Sequence, residues 1–400
     1  MRAVADPPAQ ETSPEDRQRA ELLAILRSPP PSSVAAPRPP PVALPAGAPT
    51  SAGARRGRHL LALAGMTSLV VVAGLAGLMI GSVHIPAGTA GAIFLHWISG
   101  GVLFEPTWRE AYEIIVVQTR VPRVILAAVV GGSLGVCGMV IQAIVRNPLA
   151  GPSILGVSSG AATGAVVVMR FGLVTLGAFT LHIAAFLGGL ATLTIVFWIA
   201  RTGGRMTPTR LVLAGVAMSA VLSAFTSLLV LTSPDPQLAA RVLFWTLGGF
   251  GGAQWKLLPI PVAALALGLA VMLVQARRLN LLMAGDESAV ALGLNVEAHR
   301  RAMFVLTAAL TGITVAVAGV IGFVGLIMPH IVRLMVGADH RHALPAVALL
   351  GAAFTIAADL VARSIIAPLE LPVGIVTALV GGPFFIWLLR RDARSLAGAP

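Results

Sequence analysis

Residues 122–144 read PRVILAAVVGGSLGVCGMVIQAI, and after Arg123 the stretch carries no charged side chain. A helix needs about 20 predominantly apolar residues to cross the hydrocarbon of a bilayer, and this run supplies them. Gly131, Gly135 and Gly138 fall on one side of the predicted helix. Small residues there let a second backbone come close in a solvent that gives helices no hydrophobic reason to associate.

Outward from that stretch the same kind of segment recurs. From residue 60 onward the chain is a succession of apolar runs, at about 60–80, 122–144, 154–171, 177–200, 210–231, 257–276, 301–321, 324–337, 344–367 and 373–390. The reading is an all-α integral membrane protein with ten transmembrane helices. The run at 324–337 is short and interrupted by Pro329, a break tolerated where protein rather than lipid surrounds it. Gly319, Gly322 and Gly325 punctuate the seventh and eighth runs. Composition agrees: 56% of residues are hydrophobic, 11% are charged, and the mean hydropathy is +0.88. A soluble domain carries about 25% charged residues, so most of this surface meets lipid.

Residues 1–58 differ in kind. They hold 12 of the 28 prolines and read as a disordered, solvated cytoplasmic tail. One short helix is expected inside it, starting at Ser13 and Pro14 with Leu22, Leu23, Ile25 and Leu26 on its apolar face. No secretory signal is read, since the first apolar run begins after Arg58 and is too long for one. The membrane domain is placed at 59–392 and a second cytoplasmic tail at 393–400. With both termini in the cytoplasm, 21 of the 28 Lys and Arg residues lie on that side, as the positive-inside rule prefers. The external loops are then 81–121 and 232–256. They carry Trp97, Trp108, Tyr112, Trp245 and Trp255, which suits interfacial anchoring. Ala239–Leu247 is expected as a short helix lying at the outer mouth.

Several chemistries are excluded or disfavoured. The +12 net charge is scattered between apolar runs instead of forming a patch, which argues against nucleic acid. Lys256 is the only lysine and sits outside any glycine framework, so this chain has no phosphate loop of its own. Cys137 is the only cysteine and reads as buried filler. His330, His340 and His342 form a tempting cluster, yet no further ligand at suitable spacing completes a metal site. Asp359 and Arg363 lie four apart on one helix face and neutralise each other, leaving little for an ion-coupled carrier to use.

The sequence also resembles a family. Arg120-Val121-Pro122-Arg123 enters the second span, which leaves through Gln142 and Arg146-Asn147-Pro148-Leu149-Ala150-Gly151-Pro152. Then come Leu155-Gly156-Val157-Ser158-Ser159-Gly160-Ala161, Gly322-Phe323-Val324-Gly325-Leu326-Ile327-Met328-Pro329-His330 with Arg333, Ala358–Arg363, and Glu370-Leu371-Pro372-Val373-Gly374. In this order they are similar to the permease subunits of ABC importers for iron–siderophore complexes, haem and vitamin B12, over residues 60–391. The resemblance implies a transport subunit, not an enzyme, in the cell's inner membrane. It would pair with a second permease as a homodimer or heterodimer and sit on two ATPases that bind the ATP and Mg. An extracytoplasmic binding protein would deliver the ligand.

The resemblance also assigns residues. Gly285, Asp286, Glu287, Ala289, Leu292, Gly293 and Leu294 match the ATPase-coupling segment within 280–301. They read as two short helices broken at Gly293, with Val290, Leu292 and Leu294 offered to a groove. Arg120, Arg123 and Arg363 match positions that meet acidic residues of the binding protein. Ser219, Ser223, Thr226, Gly249 and Gly252 would line the pathway. The expected cargo is an iron–siderophore complex, with haem or vitamin B12 as the alternative and an ion-coupled carrier as a distant one.

Overall fold

A computed structural model describes residues 52–202, 205–206 and 208–397. The proline-rich tail and its short helix therefore lie outside the described residues up to Ser51. From Ala52 the chain is already helical, ahead of the expected start at residue 60. The first half comprises α1 (Ala52–Met79), α2 (Ala87–Ile98), α3 (Glu110–Val145), α4 (Val157–Phe171), α5 (Thr180–Ala200) and α6 (Pro208–Leu231). A two-residue strand pair, Arg201–Thr202 with Arg205–Met206, closes the turn between α5 and α6. The second half comprises α7 (Leu238–Leu247), α8 (Pro259–Val274), α9 (Ala276–Met283), α10 (Asp286–Ala291) and α11 (Val296–Ala318). It ends with α12 (Val324–Val336), α13 (His340–Ser364) and α14 (Val373–Ala397), the last running into the tail expected at 393–400.

Among the described residues seven helices, α1, α3, α5, α6, α8, α11 and α13, are long and apolar enough to cross a membrane. The other three expected spans are shorter apolar helices: α4, α12 and Val373–Leu388 of α14. At 1.5 Å per residue, helices such as α4 and α12 reach roughly 20 Å, short of a hydrocarbon core of about 30 Å. Among the described residues the fold is thus, apart from that short strand pair, an all-helical membrane bundle with seven helices of spanning length.

The helix that contains the opening stretch is the pole of the bundle. In α3, 89% of the most apolar window is buried, against 11% for α1. Its glycines explain this. A Cβ on Gly131 would overlap the Gly351 carbonyl of α13, and one on Gly138 would overlap the backbone of Gly325 in α12. Backbones this close allow Thr355 Oγ to donate across to the Ala127 carbonyl at 2.7 Å. Around the pole, α1 exposes Leu69, Val71 and Val72, and α6 exposes Leu213, Val216 and Leu228, faces suited to lipid.

Two features depart from the expected loops. The external loop placed at 81–121 contains α2 and the first turns of α3, so Arg120 lies within a helix, as Arg123 of the expected span does. Residues Ile114–Arg120 of that helix are wound wider, as π-helix. Trp255 Nε1 donates to the Val117 carbonyl there, at 2.9 Å. Such π segments are rare and cluster at functional sites.

Candidate functional site

The chemistry collects at the two ends of the bundle and in two clefts beside one of them. At the first end stands an arginine cluster. Helix α1 stops at Met79, and the last four carbonyls of any helix lack intrahelical partners. Here Ile80 N–H takes the Ala76 carbonyl, Arg363 takes Gly77 at 2.6 Å, and Arg120 takes Leu78 and Met79 at 2.7 and 3.0 Å. Arg120 also reaches the Val83 carbonyl. Two positive charges at the negative end of a helix dipole suit both partners.

Arg123 is the second half of the cluster. Its Nε donates to both carboxylate oxygens of Asp359, its Nη2 to one of them at 2.9 Å, and its Nη1 to Glu370 at 2.7 Å. Ser82 Oγ donates to the other Glu370 oxygen. Asp359 also faces Arg363, at 3.6 Å, so the pairing expected within α13 is present but is the longer of its two. Arg120, Arg123 and Arg363 are 3%, 6% and 2% exposed. None of the three presents its charge to solvent. The expectation of arginines offered to a soluble partner therefore meets three guanidiniums used as internal struts.

At the opposite end the expected coupling segment is helical in two short pieces, α9 and α10. They are divided at Gly285 (φ 111°), whereas the expected break at Gly293 (φ 81°) separates α10 from the span α11. Asp286 and Glu287 occupy the first turn of α10, where negative charge suits the helix dipole. Asp286 also pairs with Arg300 at 2.9 Å and with Arg146 at 3.4 Å. Arg146 caps the end of α3 in a left-handed conformation (φ 53°). One carboxylate thus ties α10 to the feet of α3 and α11. Ala289 is buried beneath α10, Leu294 is half-buried, and Val290 and Leu292 are exposed, so the free apolar pair is Val290 with Leu292.

Helix α9 is latched separately. Asn280 accepts from the His340 backbone N–H at 3.0 Å and donates to Asp339 at 2.8 Å, while Asp339 caps α13 through Arg341 N–H. Burial pushes the Asp339 carboxyl up. The bonds from Arg341 and Asn280 and the nearby positive charges outweigh it, and the group sits below its usual range. The three histidines considered for a metal separate: His330 packs edge-on to Phe384, His340 turns to Asn280, and His342 stacks on His59. Among the described residues no group of three or more His, Cys, Asp or Glu side chains is placed to hold a metal.

Between the ends lie two clefts of about 690 and 630 Å³. The short helix α7 is the partition between them. Arg241, Phe244, Trp245 and then Gly248 face the larger cleft, and Ala239, Val242, Leu243 and Thr246 face the other. Each set follows the spacing of one helix face. The proposed lining residues divide accordingly. Gly249 and Gly252 border the larger cleft, next to Arg123 and Glu370. Ser223 and Thr226 border the second, where Thr226 meets Thr163 at 2.9 Å. Ser219 lies apart, near Gly156. The second cleft adds Ser158, Ser159, Ser227 and Thr246 and has no charged side chain. Ser158 and Ser159 are lining residues that the sequence reading does not name, although both stand in the Leu155–Ala161 motif.

Among the described residues, wide, weakly polar clefts and buried charges spent on internal struts mark the frame of a polytopic membrane protein. The chain belongs to the FecCD transport family, whose model matches residues 69–391. It is an integral membrane permease of the ABC importer type. It is 44% identical over 305 residues to the hemin transport system permease protein HmuU of Yersinia pestis, covering 75% of this chain and 90% of that protein. It is 44% identical over 289 residues to the cobalamin import permease BtuC of Halobacterium salinarum, covering 72% and 76%. An inward-facing structure of a metal-chelate type ABC transporter matches with a TM-score of 0.70 at 33% identity, covering 83% of this chain and 99% of that one.

Proposed function

We propose that this chain carries an iron chelate, an iron–siderophore complex in the first instance, across the membrane into the cytoplasm. The observation that supports it is the pair of large clefts on either side of α7, one with a few charges at its border and the other lined by hydroxyls and apolar groups. Such a wall suits a bulky chelate passed on without tight binding. In this reading the arginine end faces outward, both termini are cytoplasmic, the polypeptide crosses ten times, and α7 moves to join the clefts. Two such permeases would assemble with two ATPases, which bind ATP and Mg, and with an extracytoplasmic binding protein. That protein docks at the arginine end, whose shape Arg120, Arg123 and Arg363 maintain from inside. Gly285, Asp286, Glu287, Ala289, Leu292, Gly293 and Leu294 form the ATPase-coupling element, with Leu292 as its exposed apolar contact.

Haem is the second reading, favoured by the 44% identity to a hemin permease; the cobalamin relative makes vitamin B12 a third cargo for the same test. Uptake into vesicles holding the complete transporter decides among them. Iron supplied as a siderophore chelate, as haem, or cobalamin in its place, is offered with its cognate binding protein and internal ATP. Accumulation of the siderophore complex alone supports the first reading. Accumulation of haem or cobalamin alone replaces it, and uptake that survives loss of the ATPase but not of the proton gradient overturns the importer itself.

A further inference from the structure

From His59 to Phe104 the chain contains no Asp, Glu, Lys or Arg. Helix α1 accounts for the first part of that stretch, since it ends at Met79. The uncharged character continues for a further helix and loop, and breaks abruptly at Glu105, with Arg109 and Glu110 close behind. Helix α2, at 12 residues, is too short to span. One side of it packs through Ala90 and Ile93 onto Val116 and Val117 of the π-helical turn. The other side and the following tip leave Ile98, Val102, Leu103 and Phe104 exposed, Val102 at 84%.

Several backbone groups of this tip are bonded within it. Ser99, Gly100 and Gly101 N–H groups donate to the carbonyls of Leu95, Trp97 and His96. Leu103 N–H donates to Ser99 Oγ, and the His96 ring nitrogen Nδ1 sits 2.7 Å from the Phe104 carbonyl. Phe104 holds a left-handed backbone (φ 63°) to make that contact, and its ring stays exposed. Trp97 packs at a tilt against Trp255 and His96 lies edge-on to Trp108, so the hairpin is fastened to the bundle through aromatic side chains that favour membrane interfaces. A loop standing in water has no need to satisfy its backbone internally or to shed every charge. A loop at the lipid boundary gains by doing both.

We propose that α2 and the hairpin 96–104 lie in the headgroup–acyl boundary of the leaflet at the arginine end, with Ile98, Val102, Leu103 and Phe104 inserted into lipid. Ile80 and Val83, just beyond the end of α1, are exposed as well, and the whole stretch from His59 to Phe104 is free of charge, which favours lipid over a soluble partner or a second copy. The hairpin then acts as a lipid-borne brace for the π-helical turn that sets Arg120 and Arg123.

Cysteine labelling tests it. The full chain carrying Val102→Cys, and separately Leu103→Cys, is labelled with bimane and reconstituted into phosphatidylcholine vesicles with and without its partner subunits. Cys137 is buried, so the unaltered chain serves as the blank. Lipid brominated near the top of the acyl chain is expected to quench both positions several-fold more strongly than aqueous iodide, and Glu105→Cys to show the reverse order. Stronger quenching by iodide at 102 and 103 overturns the proposal in favour of water. Protection from both quenchers overturns it in favour of a covering protein surface.

Discussion

At the scale of single residues, the arginines at one end of the bundle repair a defect in a helix terminus. Carbonyls left open at the end of α1 would cost several kcal/mol each if sealed in hydrocarbon, and Arg120 and Arg363 close those of Gly77, Leu78 and Met79. Arg120→Ala should therefore lower stability by roughly 3 kcal/mol, the worth of charge-assisted bonds lost from a buried site. Arg120→Lys should recover only part of it, because an ammonium cannot reproduce the planar fork. Thermal melting of the purified protein in detergent reads both variants; equal midpoints for Arg120→Ala and the parent would remove the capping account. Asp359→Asn is expected to be worse. It leaves Arg123 and Arg363 facing each other across a neutral amide, and breaking a buried pair from one side costs about 3–5 kcal/mol. The sequence showed Arg363 and Asp359 on one helix face. It did not show that Asp359 serves Arg123 first, because that contact joins residues 236 apart.

At the scale of elements, two contacts carry most of the mechanical consequence. Gly138 and Gly325 bring α3 and α12 backbone to backbone, so Gly138→Ala should force the helices apart at a cost of about 1–3 kcal/mol. The same detergent melt measures it, and an unchanged midpoint would mean that α12 yields freely. Asp286 joins α10 to α3 and α11 through Arg146 and Arg300. Asp286→Ala should leave the ATPase bound while uptake falls steeply, whereas its exposed neighbour Glu287→Ala should change little. Co-purification of the ATPase alongside uptake assays separates the two effects, and normal uptake by Asp286→Ala would rule out this linkage. The long helices were legible because an apolar run of spanning length leaves the backbone few alternatives to a helix. The glycine contact between α3 and α12 was legible only as a stripe of small residues, without its partner. Short elements were harder. Helix α2 and the π-helical turn lie within the segment read as a loop, since neither has the length or periodicity to stand out. The break before α10 falls at Gly285, whose φ of 111° suits glycine, with Asp286 and Glu287 in the first turn that follows.

At the scale of the molecule, the clefts matter more than any one side chain that borders them. Their lining was only partly visible in the sequence: Ser223 and Thr226 were found from a helix expected to border the path, but Ser158 and Ser159 reach the same space from α4 across a turn. Helix α7 stands where the two clefts would have to merge for a bulky solute to pass. Its two faces are built differently: Arg241, Phe244 and Trp245 look toward the cleft bordered by the arginine cluster, and Ala239, Val242, Leu243 and Thr246 toward the uncharged one. A partition of this kind can be stiff or yielding, and the adjoining Gly248–Gly252 segment anchors it, with Phe250 buried. Gly248 takes a left-handed φ of 70°, and Gly249 N–H holds the Ala318 carbonyl at 2.8 Å. Filling the uncharged side should obstruct passage without disturbing the ends. Ala239→Trp and Thr246→Trp are each expected to slow uptake by about tenfold, the effect of about 1.4 kcal/mol on a barrier, while ATPase binding and nucleotide turnover persist. Uptake and ATP hydrolysis measured on the same vesicles give the answer. If both tryptophan variants transport at the parent rate, the solute does not cross that cleft and α7 is a fixed wall; if turnover is lost with uptake, the partition is tied to the coupling end more tightly than its neighbours imply.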